Sequence, residues 1–336
     1  MAPSLHSEEF GDIVIQSLVR PEPGDALLVL ADANDDQLLA KVLLDAGIRA
    51  GADAQLIVKP VSATQDLATK PGPILSEAIR ASRLILSICD DGIDASKPML
   101  EARANGTRAL FCAIAGVEDY VMRGLLNVDV DSMLRNVDRV VDLWHAADHC
   151  RVTSPEGTDV EFRHGDRKCK VGDGALTEDG EIDFFPGAQV SIAPLEETIN
   201  GTIVIDASDS VQGIVREPYS FTVEKGVVIS VDGGVEADTM RQWFESCGQP
   251  AIYELCHFSI GLNPEAGISG HMIEDERKLA AVDFGFGYQN PTFGGAIGPC
   301  DFHMDIMLST PTIYLDGVEM SGGGRLNPEL GFEQRA

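Results

Sequence analysis

The sequence predicts an α/β domain built on a parallel sheet, followed by a mostly β domain. Three observations predict it. Over residues 24–148 short apolar runs alternate with helical patterns, the order expected of a parallel sheet with helices packed on it. The apolar runs are nearly unbroken, as strands covered on both faces require. After Cys150 the pattern changes to paired short strands, turn residues and glycine-rich segments. The boundary is therefore expected near residue 150, with domains at 1–150 and 151–336.

The elements follow in order. Ala26-Leu27-Leu28-Val29-Leu30-Ala31 reads as a buried strand. Residues 35–50 read as a helix with Leu38, Leu39, Val42 and Leu43 on one face. Strands follow at 54–58, 84–88 and 107–111, with helical patterns at 74–82, 95–105 and 130–146. This is a Rossmann-like order, but no Gly-x-Gly-x-x-Gly or Walker loop follows any strand. The first strand ends in Ala31-Asp32-Ala33-Asn34-Asp35, an acidic turn that repels a pyrophosphate. A scaffold or oligomer-contact role suits this half better than nucleotide binding. In the second half, 152–162 reads as strand, turn and strand, and 201–206 as a further strand. Residues 221–231 read as a hairpin turning at Glu224-Lys225-Gly226. A helix is expected over 237–246.

With 336 residues, 44% of them hydrophobic, the chain can build two ordinary cores. A formal net charge of -29 argues against nucleic acid and anionic membranes as partners. The N-terminal residues lack a signal-peptide pattern, and no apolar run is long enough for a membrane span. Seven scattered cysteines without a Cys-x-x-Cys read as buried free thiols. A cytoplasmic location is the expectation.

Chemistry concentrates in the second half. His303-Met304-Asp305 lies in a strand-like run, so His303 and Asp305 face the same way. His257 lies 46 residues upstream. Two imidazoles and one carboxylate can bind a transition metal on one face and leave the opposite positions open. A core histidine with ordinary hydrogen bonds is the alternative for each imidazole. Burying Asp305 unpaired beside Met304 is costly, and a metal removes that cost. Glycine-rich segments at 259–264, 284–288 and 293–298 flank these residues and let backbone pass close to a site. His145 and His149 lie i, i+4 on an expected helix end, but no Glu-x-x-His context supports zinc there, and His164 lies nearby.

The order His-Phe-Ser-Ile-Gly-Leu-Asn-Pro (257–264), Glu-Asp-Glu-Arg (274–277), Asp-Phe-Gly-Phe-Gly (283–287), Gly-Gly (294–295) and Phe-His-Met-Asp (302–305) resembles a known superfamily. It is that of the thermophilic leucyl aminopeptidases (aminopeptidase T), which has a 2,5-dihydroxypyridine 5,6-dioxygenase branch. The resemblance covers most of 150–336. The peptidases carry glutamates at the positions of Gln189 and His257, a histidine at Asp283 and a catalytic tyrosine at Asn290. Only His303 and Asp305 match them directly. Two metal ions need anionic ligands that Gln189 and His257 do not supply. The resemblance therefore implies one Fe(II) per chain, held by His257, His303 and Asp305. It further implies cleavage of a dihydroxylated pyridine or related aromatic ring with O2, giving N-formylmaleamic acid from 2,5-dihydroxypyridine, and assembly as a homo-oligomer. Asp283 is the candidate base by position, with Glu254 and Glu276 weaker ones, and Arg277 a local partner for Asp275 or Glu276. His271, Tyr288, Phe184, Phe185 and Gln189 are candidate substrate contacts. A metallo-aminopeptidase with altered ligands and a non-catalytic binding protein are the competing readings.

Overall fold

The computed structural model describes residues 4–61, 70–89, 93–112, 114 and 116–333. The chain forms two compact units. Met1–Val130 with Gly172–Gly187 makes the first, and Asp131–Val171 with Ala188–Ala336 the second.

Among the described residues, the first unit has a five-stranded sheet in the order Asp53–Lys59, Ala26–Asp32, Leu84–Ser87, Arg108–Phe111, Ile182–Phe184, all neighbours parallel. The two short strands Leu84–Ser87 and Arg108–Phe111 are buried at every position, as their largely apolar sequences demand, with Arg108 donating to the Leu176 carbonyl. Helix Gln37–Arg49 starts two residues later than the periodicity suggests. Asp36 is its N-cap, its carboxylate accepting the Leu38 and Leu39 N–H groups. Pro73 opens helix Pro73–Ala81, and Ser96 caps Lys97–Ala104. In the acidic turn the Asp32 carboxylate accepts the Asn34 and Asp35 N–H groups itself. Helix Glu118–Leu126 and the helical turns over 8–19 were not foreseen.

A single boundary at residue 150, with domains 1–150 and 151–336, does not describe these units. Helix Val130–Ala146 buries Met133, Val137, Val140 and Trp144 along one face. Its Trp144 ring lies 6.3 Å from Phe162 and 5.4 Å from Phe258, both in the second unit. The segment 172–187 goes the other way and adds Ile182–Phe184 to the first sheet beside Arg108–Phe111. Burial of an aromatic face and completion of a sheet edge, neither local in sequence, set the division.

The second unit is built from antiparallel strands. An eight-stranded sheet, among the described residues, includes His149–Thr153, Asp159–Arg163, Asn200–Ile205 and the hairpin Tyr219–Glu224/Val227–Asp232. Lys225 and Gly226 both have positive φ, 49° and 78°, the backbone of a tight type I′ turn. Helix Val235–Cys247 follows. The second sheet of this unit places Ser208–Asp209, His303–Leu308, Val282–Gly287, Leu255–Gly261 and Gln189–Ile192 side by side. Its register puts Ile192, Phe258, Phe284 and Ile306 in one cross-strand row, all buried. The next residue along each strand faces the opposite side. That side carries Gln189, Ser191, Ser259, His257, Asp283, Gly285, His303 and Asp305. One sheet therefore has an apolar core face and a face of polar side chains and glycines. Among the described residues no helix is long and apolar enough to cross a membrane.

Candidate metal centre

Three adjacent antiparallel strands bring the chemistry together. His257 opposes Gly285, and Gly285 opposes Asp305 on its other side. His303 opposes Gly287, two residues along. With glycine at both middle positions, the imidazoles and Asp305 meet above the central strand. A Cβ on Gly285 would lie 2.1 Å from His257 Cε1, so the ring occupies the space a side chain would need.

His257 Nε2 lies 2.8 Å from Asp283 Oδ2 and 3.4 Å from Asp305 Oδ1. His303 Nε2 lies 2.9 Å from Asp305 Oδ1. Ligand atoms of His257, Asp283 and Asp305 fall within 4.8 Å of one another, as do those of Cys256, His257 and His303. The two imidazole centroids are 5.3 Å apart. His257, Asp283 and Asp305 are buried, with side chains 12%, 1% and 14% exposed, whereas His303 is 34% exposed and marks the open side.

The electrostatics follow from burying these charges together. Burial opposes charge on His257, but the charges of Cys256 and Asp283 outweigh it and raise its basicity well above the ordinary imidazole value. Burial likewise opposes charge on His303, but hydrogen bonds with Asp305 and Cys256 push it up to about 11. Burial would raise Asp305, yet its hydrogen bond with His303 holds it below the usual carboxylate range. Burial and repulsion from Asp305 raise Asp283. Protons on the imidazoles thus balance the carboxylates, and a cation would take the same place.

The donor set fits a metal by a second criterion. Asp283 Oδ1 is buried and has no hydrogen-bond partner. An orphaned carboxylate oxygen in the interior is costly, and a cation beside His257, His303 and Asp305 would satisfy it. Ser259 Oγ holds Oδ2 of the same carboxylate at 3.3 Å and Ser191 Oγ at 2.8 Å.

The other anticipated residues divide. Gln189 donates to Glu276 Oε2 at 3.1 Å, and Arg277 Nη1 donates to the same oxygen at 2.5 Å. Burial pushes Glu276 up to about 7, with Arg277 opposing and Asp305 and Asp283 adding to the rise. Glu276 is therefore within electrostatic range of the set. Burial and the charge of Glu196 raise the Glu254 carboxyl. His271 is exposed at the start of the short helix Met272–Asp275. Tyr288 contributes its backbone rather than its ring. Its carbonyl accepts from His303 Nδ1 at 2.9 Å, and the side chain is 47% exposed. Phe185 is fully buried in the first unit, and Phe184 packs 5.8 Å from Phe111 there. Asn290 caps a turn through Thr292 N. His149 lies on a strand, beyond the helix that ends at Ala146, so it does not form an i, i+4 helical pair with His145. His164 is buried and its Nδ1 meets the Gly165 carbonyl.

Two participants were not foreseen. Phe293 stacks nearly parallel to His257, centroids 5.7 Å apart at 7°. Cys256 reaches both imidazoles. Gly285, in the glycine-rich segment 284–288 expected to let backbone pass close to a site, makes room for His257. For Gly285 the signal was the period-two pattern in His257-x-Ser259, Asp283-x-Gly285-x-Gly287 and His303-x-Asp305, which marks one polar face across three strands; Cys256 and Phe293 lie off that period.

Comparison with known proteins agrees with this architecture. The family model of NicX, 2,5-dihydroxypyridine 5,6-dioxygenase, matches residues 14–328. A 2,5-dihydroxypyridine 5,6-dioxygenase of Pseudomonas putida is 28% identical over 223 residues, which are 63% of this chain. The matched stretch spans 62% of that relative's own length. The solved 2,5-dihydroxypyridine dioxygenase of Pseudomonas putida KT2440 superposes with a TM-score of 0.77 at 22% identity, covering 96% of this chain and 98% of that one. AmpT from Thermus thermophilus superposes at 0.65 and 15% identity, covering 95% and 98%. Both share the fold, an α/β region followed by large antiparallel sheets. The matched residues take in nearly the whole chain, which belongs to the 2,5-dihydroxypyridine 5,6-dioxygenase family.

Proposed function

We propose that the chain opens the ring of a dihydroxylated pyridine with dioxygen, using one Fe(II) held by His257, His303 and Asp305. The observation that carries this reading is the convergence of those three side chains beside the unpartnered Asp283 oxygen. Two imidazoles and one carboxylate suit ferrous iron and leave ligand positions open. When bound, the ion supplies the redox chemistry that lets dioxygen react with an electron-rich ring. The family and the named activity of the 28% identical relative support the substrate class.

The protein's own residues have distinct tasks. Asp283, its carboxyl raised by burial and by repulsion from Asp305, takes the proton of the ring hydroxyl. Glu276, held by Gln189 and Arg277, is a second buried carboxyl able to hold a proton near neutral pH. Phe293, stacked on His257, shields that imidazole from water. His303 faces the open side, from which substrate arrives. Across the reaction the ring C–C bond beside the hydroxyl breaks and both oxygen atoms enter the product.

The test is anaerobic loading with Fe(II), metal analysis, and oxygen uptake with 2,5-dihydroxypyridine and its monohydroxylated analogues. One iron per chain and uptake only with the dihydroxylated ring are expected. Iron-loaded protein that consumes no oxygen with any dihydroxylated ring would sink the reading. So would two zinc ions per chain with release of amino acids from peptides. Light scattering on the same preparation tests the expected homo-oligomer.

A further inference from the structure

Cys256 sits where the strand pairing slips. Leu255 opposes Phe286 and His257 opposes Gly285, so Cys256 is an extra residue without a cross-strand partner. A bulge of this kind interrupts strand alternation and re-aims a side chain. Here it lets two consecutive residues serve one site. Cys256 Sγ lies 3.5 Å from His257 Nδ1 and 3.8 Å from His303 Nδ1. Gln289 Nε2 holds the Cys256 carbonyl at 2.6 Å, which pins the bulge.

The sulfur therefore touches the rear nitrogens of both imidazoles, while both Nε2 atoms face the carboxylates. The two rings differ in what else their rear nitrogen meets. His303 Nδ1 has the Tyr288 carbonyl at 2.9 Å, an acceptor that fixes Nδ1 as the protonated nitrogen. For His257 Nδ1 the partner in the structure is the Cys256 sulfur. A ligating imidazole needs a partner for its other nitrogen to fix tautomer and ring orientation. The unpartnered, buried Asp283 Oδ1 independently places a cation on the Nε2 side.

We propose that Cys256 is a positioning residue whose sulfur accepts the Nδ1–H of His257 and so presents its Nε2 lone pair to the metal. This rests on the proposed metal centre for where the cation sits. It adds that the thiol acts behind the ligand and does not bind the metal itself.

The experiment is anaerobic Co(II) titration of the full-length wild type, Cys256→Ala and Cys256→Ser, with absorption spectra and thermal melting of the metal-free proteins. Serine keeps an acceptor at the same place, and alanine removes it. Cys256→Ala is expected to lower Co(II) affinity about 10- to 100-fold. Cys256→Ser is expected to recover most of that loss, with the wild-type spectrum lacking an intense sulfur-to-cobalt charge-transfer band. ¹⁵N-histidine spectra of the zinc-loaded wild type should show Nδ1 of His257 protonated. A charge-transfer band in the wild type would overturn the proposal by making the thiolate a ligand. Wild-type affinity in Cys256→Ala, or equal weakening in both variants, would overturn it too. If Cys256→Ala does not fold, a folded Cys256→Ser that loses the ¹⁵N signature of protonated His257 Nδ1 yet binds Co(II) as tightly as the wild type would overturn it as well. A wild type that binds no divalent ion would instead sink the metal centre itself.

Discussion

Gly285→Ala isolates the geometry of the centre from its chemistry, because it removes no ligand and no charge. Gly285 stands between His257 and Asp305 in the strand register. Its φ lies outside the left-handed region, so alanine suits the backbone, and the conflict is with the imidazole alone. The added Cβ would lie 2.1 Å from His257 Cε1, 2.3 Å from Nδ1 and 2.7 Å from Nε2, whereas ordinary contact begins at 3.4 Å. The ring or its strand must then move by about 1.3 Å, the difference between 3.4 Å and 2.1 Å. Catalytic and ligand groups tolerate roughly 0.5 Å of misplacement. Metal affinity should therefore fall about 100-fold, or ~2.7 kcal/mol. Overpacking should also cost about 1–3 kcal/mol of stability. Calorimetric titration with Co(II), paired with thermal melting, measures both. Gly298→Ala is the control, since a Cβ there meets nothing within 4 Å. Affinity in Gly285→Ala within roughly twofold of wild type would refute the claim that this glycine makes room for a ligand.

Three further outcomes are expected. Asp305→Asn keeps the shape but removes the negative charge between the two imidazoles, so metal binding should fall at least about 100-fold by the same titration. Glu276→Gln keeps its contacts with Gln189 and Arg277 in outline but cannot take a proton. It should lower kcat by about 100-fold if Glu276 relays a proton, with little change in metal content, read by oxygen uptake. Cys169 is the one cysteine that is only half-buried, and that burial still pushes its thiol up to about 11. A raised thiol pKa means less thiolate below it, so labelling of the native protein by a disulfide reagent should be slow at neutral pH. It should quicken steadily as pH climbs toward that value.

Much of the fold was legible because it is written in local patterns. Unbroken apolar runs marked the buried parallel strands, and the Glu224-Lys225-Gly226 turn marked its hairpin. Helix ends were displaced where a side chain, not periodicity, decides them, as at Asp36. The strand Ile182–Phe184 was missed because three residues carry too little period to be read. The division into units was misplaced because Trp144 finds Phe162 and Phe258 only in three dimensions.

The same limit applies at the centre. That His303 and Asp305 share a face follows from their spacing alone, since side chains repeat every two residues on a strand. The sequence also determined the apolar runs, the turn and the donor types, all of which depend on neighbours along the chain. Only the tertiary structure decided that His257 meets Asp283 and Asp305 across Gly285, that Phe293 covers the ring, and that a bulge turns Cys256 behind it. Those contacts join strands 20 to 50 residues apart through cross-strand register. A period-two pattern gives the face on which each residue lies, but which residues end up opposite one another is settled only when the buried face of the whole sheet packs.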